Sequence, residues 1–371
     1  MVNFAEATAL APDLASKFMR LLPREFQDAF VQSPNVFMFF MSMALAAVLI
    51  SIFWVLAGMM RASSVARMAL RSQALRRTKD HRALVLVAEI EGGGPTLRQE
   101  IKEAIEDNFG LFSFEQKVQV DLFPIRLKTL PANAHPENRR RVAVEAAEAL
   151  ERSAADIIVW GKRNWIGKLE VRITTLPSYG RVHEVQEFDL AWRVGRPEEA
   201  VQRALAFALA RKARPVLHRP QDYKPERLQP IVEALDKMVE ARPESISENL
   251  QLDILSDFAS GALSLGERGG HIKWLQKALE ARQLYLDRVD RTTDPAAWGS
   301  AQQEIGRALT SLGEREGARD KLEEGASRLR LAMDALRSTD SLQQAEVALR
   351  ALQRAEQVLQ QRRRVGLRWP G

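Results

Sequence analysis

The stretch EIEGGGPTLRQE, from Glu89 to Glu100, is where residue types and spacing first suggest chemistry. Glycines that enter a helix can cradle a phosphate, because free backbone N–H groups and the helix dipole both favour an anion. The spacing here is neither G-x-G-x-x-G nor G-x-x-x-x-G-K-[ST], and Glu89 and Glu91 put negative charge where a phosphate would sit. A structural turn over Gly92–Pro95 explains the same letters. Glu89, Glu91 and Asp156 lie near strand ends, where they could meet. Paired carboxylates do acid–base work only when their environments separate their pKa values, and solvated acids at strand ends account better for these three. The five histidines, His81, His135, His183, His218 and His271, show no short ligand spacing such as H-E-x-x-H. With no cysteine there is no thiolate ligand, and the G-x-S-x-G pattern of a serine nucleophile is absent. WGKRNW carries Trp160 and Trp165 among basic residues, which suits base stacking, although tryptophans packing on a sheet give the same pattern. No catalytic, cofactor-binding or metal-binding residue is assigned, so the expectation is a protein that is not an enzyme, with no cofactor.

The elements that would hold these residues form an α/β pattern over 83–218. ALVLVAEI reads as a buried strand, and PTLRQEIKEAIEDNFG as a helix with Leu97, Ile101 and Ile105 on one face. VQVDLFPIRL is a second strand, which Pro124 places at an edge or bulge. NRRRVAVEAAEALERSAA is a helix and DIIVWGKR a third strand. KLEVRITTLP and RVHEVQEFDLAW alternate at period two around Tyr179 and Gly180, as a hairpin does. A helix, PEEAVQRALAFALARKARPVL, closes the unit.

Upstream, 25 consecutive residues over 36–60 carry no charge, and at about 1.5 Å per residue they are long enough to cross a bilayer. That predicts a single transmembrane helix, preceded by a tail (1–35) with an interfacial helix over Pro12–Phe30. A basic juxtamembrane segment follows (61–82), with Arg61, Arg67, Arg71, Arg76, Arg77, Lys79 and Arg82. These residues either lie on lipid headgroups or merely fix topology. Their excess over Lys17, Arg20 and Arg24 places the C-terminal domains in the cytoplasm of a single-pass bacterial inner-membrane protein. Net charge is +6, and its position beside the apolar helix favours a membrane surface, so no nucleic-acid partner is expected.

After a linker and helix (219–243) the chain reads helical. Two passages match at an offset of 47 residues, one from Phe258 and one from Ile305, each containing LGER (Leu265–Arg268 and Leu312–Arg315). Leu275 aligns with Leu322 and Ala278 with Gly325. Over 244–340 these residues resemble tetratricopeptide repeats of a bacterial LGER type. The small Ala259 and Gly306 stand where paired helices cross closely, and Gly266 and Gly313 stand as turn glycines. The turn is longer than the family norm. The last segment (341–371) reads as a capping helix or a coiled-coil seam, with a basic tail at Arg362, Arg363 and Arg364.

The expected fold class is therefore α/β plus all-α: one N-terminal transmembrane helix, a small α/β domain and a C-terminal helical repeat. The resemblance implies a membrane-anchored scaffold or adaptor that takes protein partners in a concave groove. The alternative is a membrane-tethered α/β domain that senses a ligand or nucleotide at Gly92–Pro95, or acts there as an enzyme, with the repeats as accessory.

Overall fold

The computed structural model describes residues 34–78, 83–131, 133–175 and 185–366. The N-terminal tail with its expected interfacial helix, the hairpin tip at Tyr179 and Gly180, His81 and His183 lie outside the described residues. The chain divides into two compact units, Met1–Arg67 and Met68–Gly371.

In the first unit the described residues belong to helix α1, Pro34–Thr78. Its side chains described without interruption, 45–56, are exposed, with Phe53 at 69% and Trp54 at 64%. Among the described residues no helix is long and apolar enough to cross a membrane. The expected transmembrane helix is corrected accordingly. The single-pass inner-membrane location and cytoplasmic orientation rested on it and fall with it.

The second unit holds a five-stranded sheet, ordered β2-β1-β3-β4-β5. Its strands are β1 (Ala83–Glu91), β2 (Val118–Leu122), β3 (Ile157–Arg163), β4 (Lys168–Thr175) and β5 (Gln186–Ala191). β1 runs parallel to both β2 and β3, whereas β3, β4 and β5 pair antiparallel. Helix α2 (Pro95–Asn108) leads from β1 towards β2, and α3 (Pro136–Ser153) leads into β3. Both helices take proline in the first turn, where its missing N–H costs nothing. Successive side chains on β1 and β3 enter opposite cores, so these strands are continuously apolar rather than alternating. Val85, Val87, Ile157 and Val159 meet Leu97, Ile101 and Ile105 of α2 and the following helix α4 (Glu199–Leu217). Leu84, Leu86, Ile158 and Trp160 meet Ala146 and Leu150 of α3 and Leu75 from the end of α1.

This end of α1 is part of the expected juxtamembrane segment, and it is folded into the unit. Leu75 is 4% exposed, and the Arg71 guanidinium pairs with the Asp121 carboxylate of β2 (Nε to Oδ2, 2.8 Å), which raises the Arg71 pKa.

From α4 onward the chain builds antiparallel helices: α5 (Pro225–Ala241), α6 (Glu248–Gly269), α7 (Ile272–Leu286), α8 (Pro295–Glu316), α9 (Arg319–Ser338) and α10 (Leu342–Gly366). The starts of α6, α8 and α10 are 47 residues apart, and so are those of α5, α7 and α9. α4 serves twice. It covers the sheet, with Phe207 edge-on to Phe112 at 5.7 Å, and its Arg211 and Arg214 pair with Asp253 and Asp257 of α6. One apolar cluster runs from β1 through α4 to Ala308 and Leu312 of α8. The segment between α5 and α6 also joins the sheet edge through the bridge Leu190–Ile246, with the Ala191 N–H donating to the Ser245 carbonyl at 2.8 Å. The sheet and the helices that follow it thus share one apolar core.

Candidate functional site

The carboxylates flagged at the strand ends do not converge. β1 and β3 are parallel, with Val85 beside Ile157 and Glu91 beside Lys162, so Asp156 sits at the opposite end of the sheet from Glu89 and Glu91. Asp156 accepts the Leu84 N–H at 2.8 Å, a structural bond at the entry to the sheet. At the Gly92–Pro95 junction, Gly92 has φ +69°, and a Cβ there would lie 2.5 Å from the Arg163 carbonyl oxygen. Glycine is required by that close approach of backbone and by the left-handed conformation. Of the tryptophans, Trp160 is buried at 2% exposure, whereas Trp165, in the β3–β4 turn, is 94% exposed. His135 caps α3 and His271 precedes α7. His218 follows α4 and packs edge-on to Phe114, 4.7 Å between ring centres. Burial, and then the Arg214 cation, lower its pKa to about 4. Among the described residues no group of three or more His, Cys, Asp or Glu side chains could hold a metal ion.

The helical array carries a different kind of organisation. Gly266 and Gly313, read as turn glycines, lie instead within the last turns of α6 and α8. A Cβ at Gly266 would meet Leu275 at 2.5 Å, and one at Gly313 would meet Leu322 at 2.8 Å. They let the returning helix start against the end of its partner. The turns themselves use Gly270 (φ +80°) and Gly317 (φ +76°), again 47 residues apart. α8 and α9 also cross closely: a Cβ at Gly306 would lie 2.6 Å from Leu329 and 2.9 Å from the Gly325 carbonyl.

Charged side chains stitch α6 to α8 and α8 to α10 by one pattern used twice. Arg307 on α8 forks onto Glu267 of α6 (Nε to Oε1, 3.1 Å), and Arg315 donates to the Glu267 carbonyl at 3.2 Å. Forty-seven residues on, Arg354 of α10 forks onto Glu314 of α8 at 2.9 and 2.8 Å, and Arg362 donates to the Glu314 carbonyl at 2.9 Å. The Glu314 bond raises the Arg354 pKa. A bidentate arginine–carboxylate pair fixes orientation as well as distance. Deeper in the array, Arg282 of α7 is 5% exposed. It donates to Glu304 at 2.8 Å, to the Ser260 hydroxyl at 2.8 Å and to the Ser256 hydroxyl at 3.1 Å. Glu267, Glu314 and Arg315 belong to the LGER matches and Arg362 to the basic tail; Arg282, Arg307 and Arg354 went unnoticed in the sequence, although Arg307 and Arg354 also match at 47 residues.

The register also shows where the pattern ends. Ala259 and Gly266 of α6 correspond to Gly306 and Gly313 of α8, but on α10 the same places hold Gln353 and Gln360, both exposed. Glutamine keeps a further helix from packing as closely as α7 or α9 does, which suits α10 to a polar terminal face. α10 meets α9 through Leu352 and Ala355 against Ala326 and Leu329, and through Ala345 and Ala348 against Ala332 and Leu336. No protein-family model matches this chain, and no curated protein sequence matches it.

Proposed function

We propose that this protein is a non-catalytic adaptor whose tetratricopeptide-like helical array, built out from the sheet, holds a protein partner along the face that α6, α8 and α10 share. The observation that supports this reading most is the repeated arginine stitch, Glu267 with Arg307 and Glu314 with Arg354, which locks successive helix pairs in one relative orientation. A surface fixed before binding spends less free energy on ordering when a partner arrives. Stacked helix pairs with this regularity present extended surfaces suited to peptides and helices.

Truncation is a poor test, since removing the array would open the core it shares with the sheet. Site-specific photo-crosslinking in the full chain avoids that difficulty. A photoreactive residue at Arg350 or Gln357, both exposed on α10, is expected to capture one common protein, and the same residue at Glu103 on α2 is not. Capture from Glu103 alone, or from none of the three positions, overturns the reading.

A further inference from the structure

The sheet face that carries α3 holds a cavity of about 540 Å³ that the array does not use. Its floor is a row across three strands, since Trp160 of β3 pairs with Arg172 of β4, and Arg172 with Glu187 of β5. Its walls are the first turns of α3, with Arg139, Arg140 and Val144, and the segment around Lys128 and Leu130. The volume lies within the range usual for small-molecule sites, and the lining combines apolar side chains with a few polar groups.

Charge gives the cavity its character. Arg172 is 7% exposed in the middle of a strand, a costly place for a guanidinium on stability grounds alone. Its Nε lies 3.0 Å from the Glu187 carboxylate, Nη2 donates to the Leu130 carbonyl at 3.5 Å and Nη1 to the Val171 carbonyl at 3.3 Å. A guanidinium has five N–H groups, so others remain for an occupant. Glu187, and Glu170 at 3.9 Å, offset the charge of Arg172, while Lys128, Arg139 and Arg140 have no ion-pair partner among the described residues. The same wall is the N-terminus of α3, where the helix dipole adds positive potential. The neutral lining includes Trp160, Leu130, Pro136, Val142, Val144 and Val185.

We propose that this cavity binds a small organic anion, a carboxylate or phosphate head carried on an apolar body. The head meets Arg139, Arg140 and Arg172 at the start of α3, and the body lies over Trp160. This site is separate from the Gly92–Pro95 junction and from the array face, so it can fail without touching the adaptor reading.

Calorimetric titration of the full chain tests it with three probes: phenyl phosphate, benzoate and neutral benzyl alcohol. Both anions are expected to bind, and benzyl alcohol is not. The exposed pair Arg139→Gln with Arg140→Gln is expected to weaken anion binding at least tenfold without lowering the melting temperature. Lys102→Gln, on α2 across the sheet, is expected to leave binding unchanged. Absence of binding by both anions, equal binding of benzyl alcohol, or indifference to the double substitution overturns the proposal.

Discussion

The sheet and the distal end of the helical array are held by different means. Around the sheet the core is made of large side chains: Trp160, Trp192, Phe109, Phe112, Phe123 and Phe207 are each buried at 2% exposure or less. Between α8 and α9 the contact is made by what is missing, with Gly306 and Gly325 letting the helices approach until Leu329 and Thr310 fill the space. The apolar seam against α10 is alanine and leucine, and the orientation there is carried by paired charges. A large-residue core gains its stability from area removed from water, which is non-directional. A seam of small residues and forked ion pairs gains less from area and more from fixed geometry. The sheet end therefore anchors, and the array end sets direction.

The sharpest way to break this contrast is at α4, which belongs to both regions. Phe207→Ala is expected to cost about 3–5 kcal/mol, because it opens a cavity between α4 and the turn at Phe112. Urea unfolding of the variant should show near-ultraviolet and far-ultraviolet signals lost in one transition, at a lower midpoint. Two separate transitions, with the array unmoved, would show that the shared core does not couple the regions.

Within the array, two ion pairs of one general type should differ in strength. Arg282 has a side chain only 6% exposed, so Glu304→Ala strands a buried cation and is expected to cost about 3 kcal/mol. Arg354 is 69% exposed, so Glu314→Ala is expected to cost less than about 1 kcal/mol, with added salt shrinking it further. Equal losses in the two variants, measured by the same unfolding titration, would mean that the stitch and the buried pair are not distinct devices.

A further contrast lies at the joint itself, in its pH dependence. His218 lies against Phe114 and Tyr223, near Arg214, Asp222 and Arg227, with its pKa lowered to about 4 from an ordinary 6.5. A pKa lower in the folded state means that the unfolded chain binds the proton more readily. The stability linked to His218 is thus complete above about pH 6.5 and is lost as pH falls towards about 4. His218→Phe keeps an aromatic ring there and should flatten the melting temperature across that window. An unchanged slope in the variant would remove His218 as the cause.

Much of the local organisation could be read directly. ALVLVAEI has strand length and strand residues, and the run occupies β1, Ala83–Glu91. Pro95 and the apolar positions Leu97, Ile101 and Ile105 mark α2. The LGER match at 47 residues coincides with the spacing of the helix starts. The glycines within that match were misplaced, because a glycine that ends a helix and one that admits a neighbouring helix look alike as letters. That Asp156 stands at the far end of the sheet from Glu89 and Glu91 was hidden for a similar reason: strand direction is a property of pairing, and pairing is non-local.

The residues themselves determined what depends on neighbours a few positions away: strand alternation, helix periodicity, proline at helix starts and a 47-residue recurrence. Tertiary structure alone decided that α4 would serve both sheet and array, that Arg71 would pair with Asp121 and Arg172 with Glu187, and that four basic side chains would line one cavity. Those outcomes depend on contacts between distant parts of the chain, whose free energies are set by burial and mutual approach rather than by local preference.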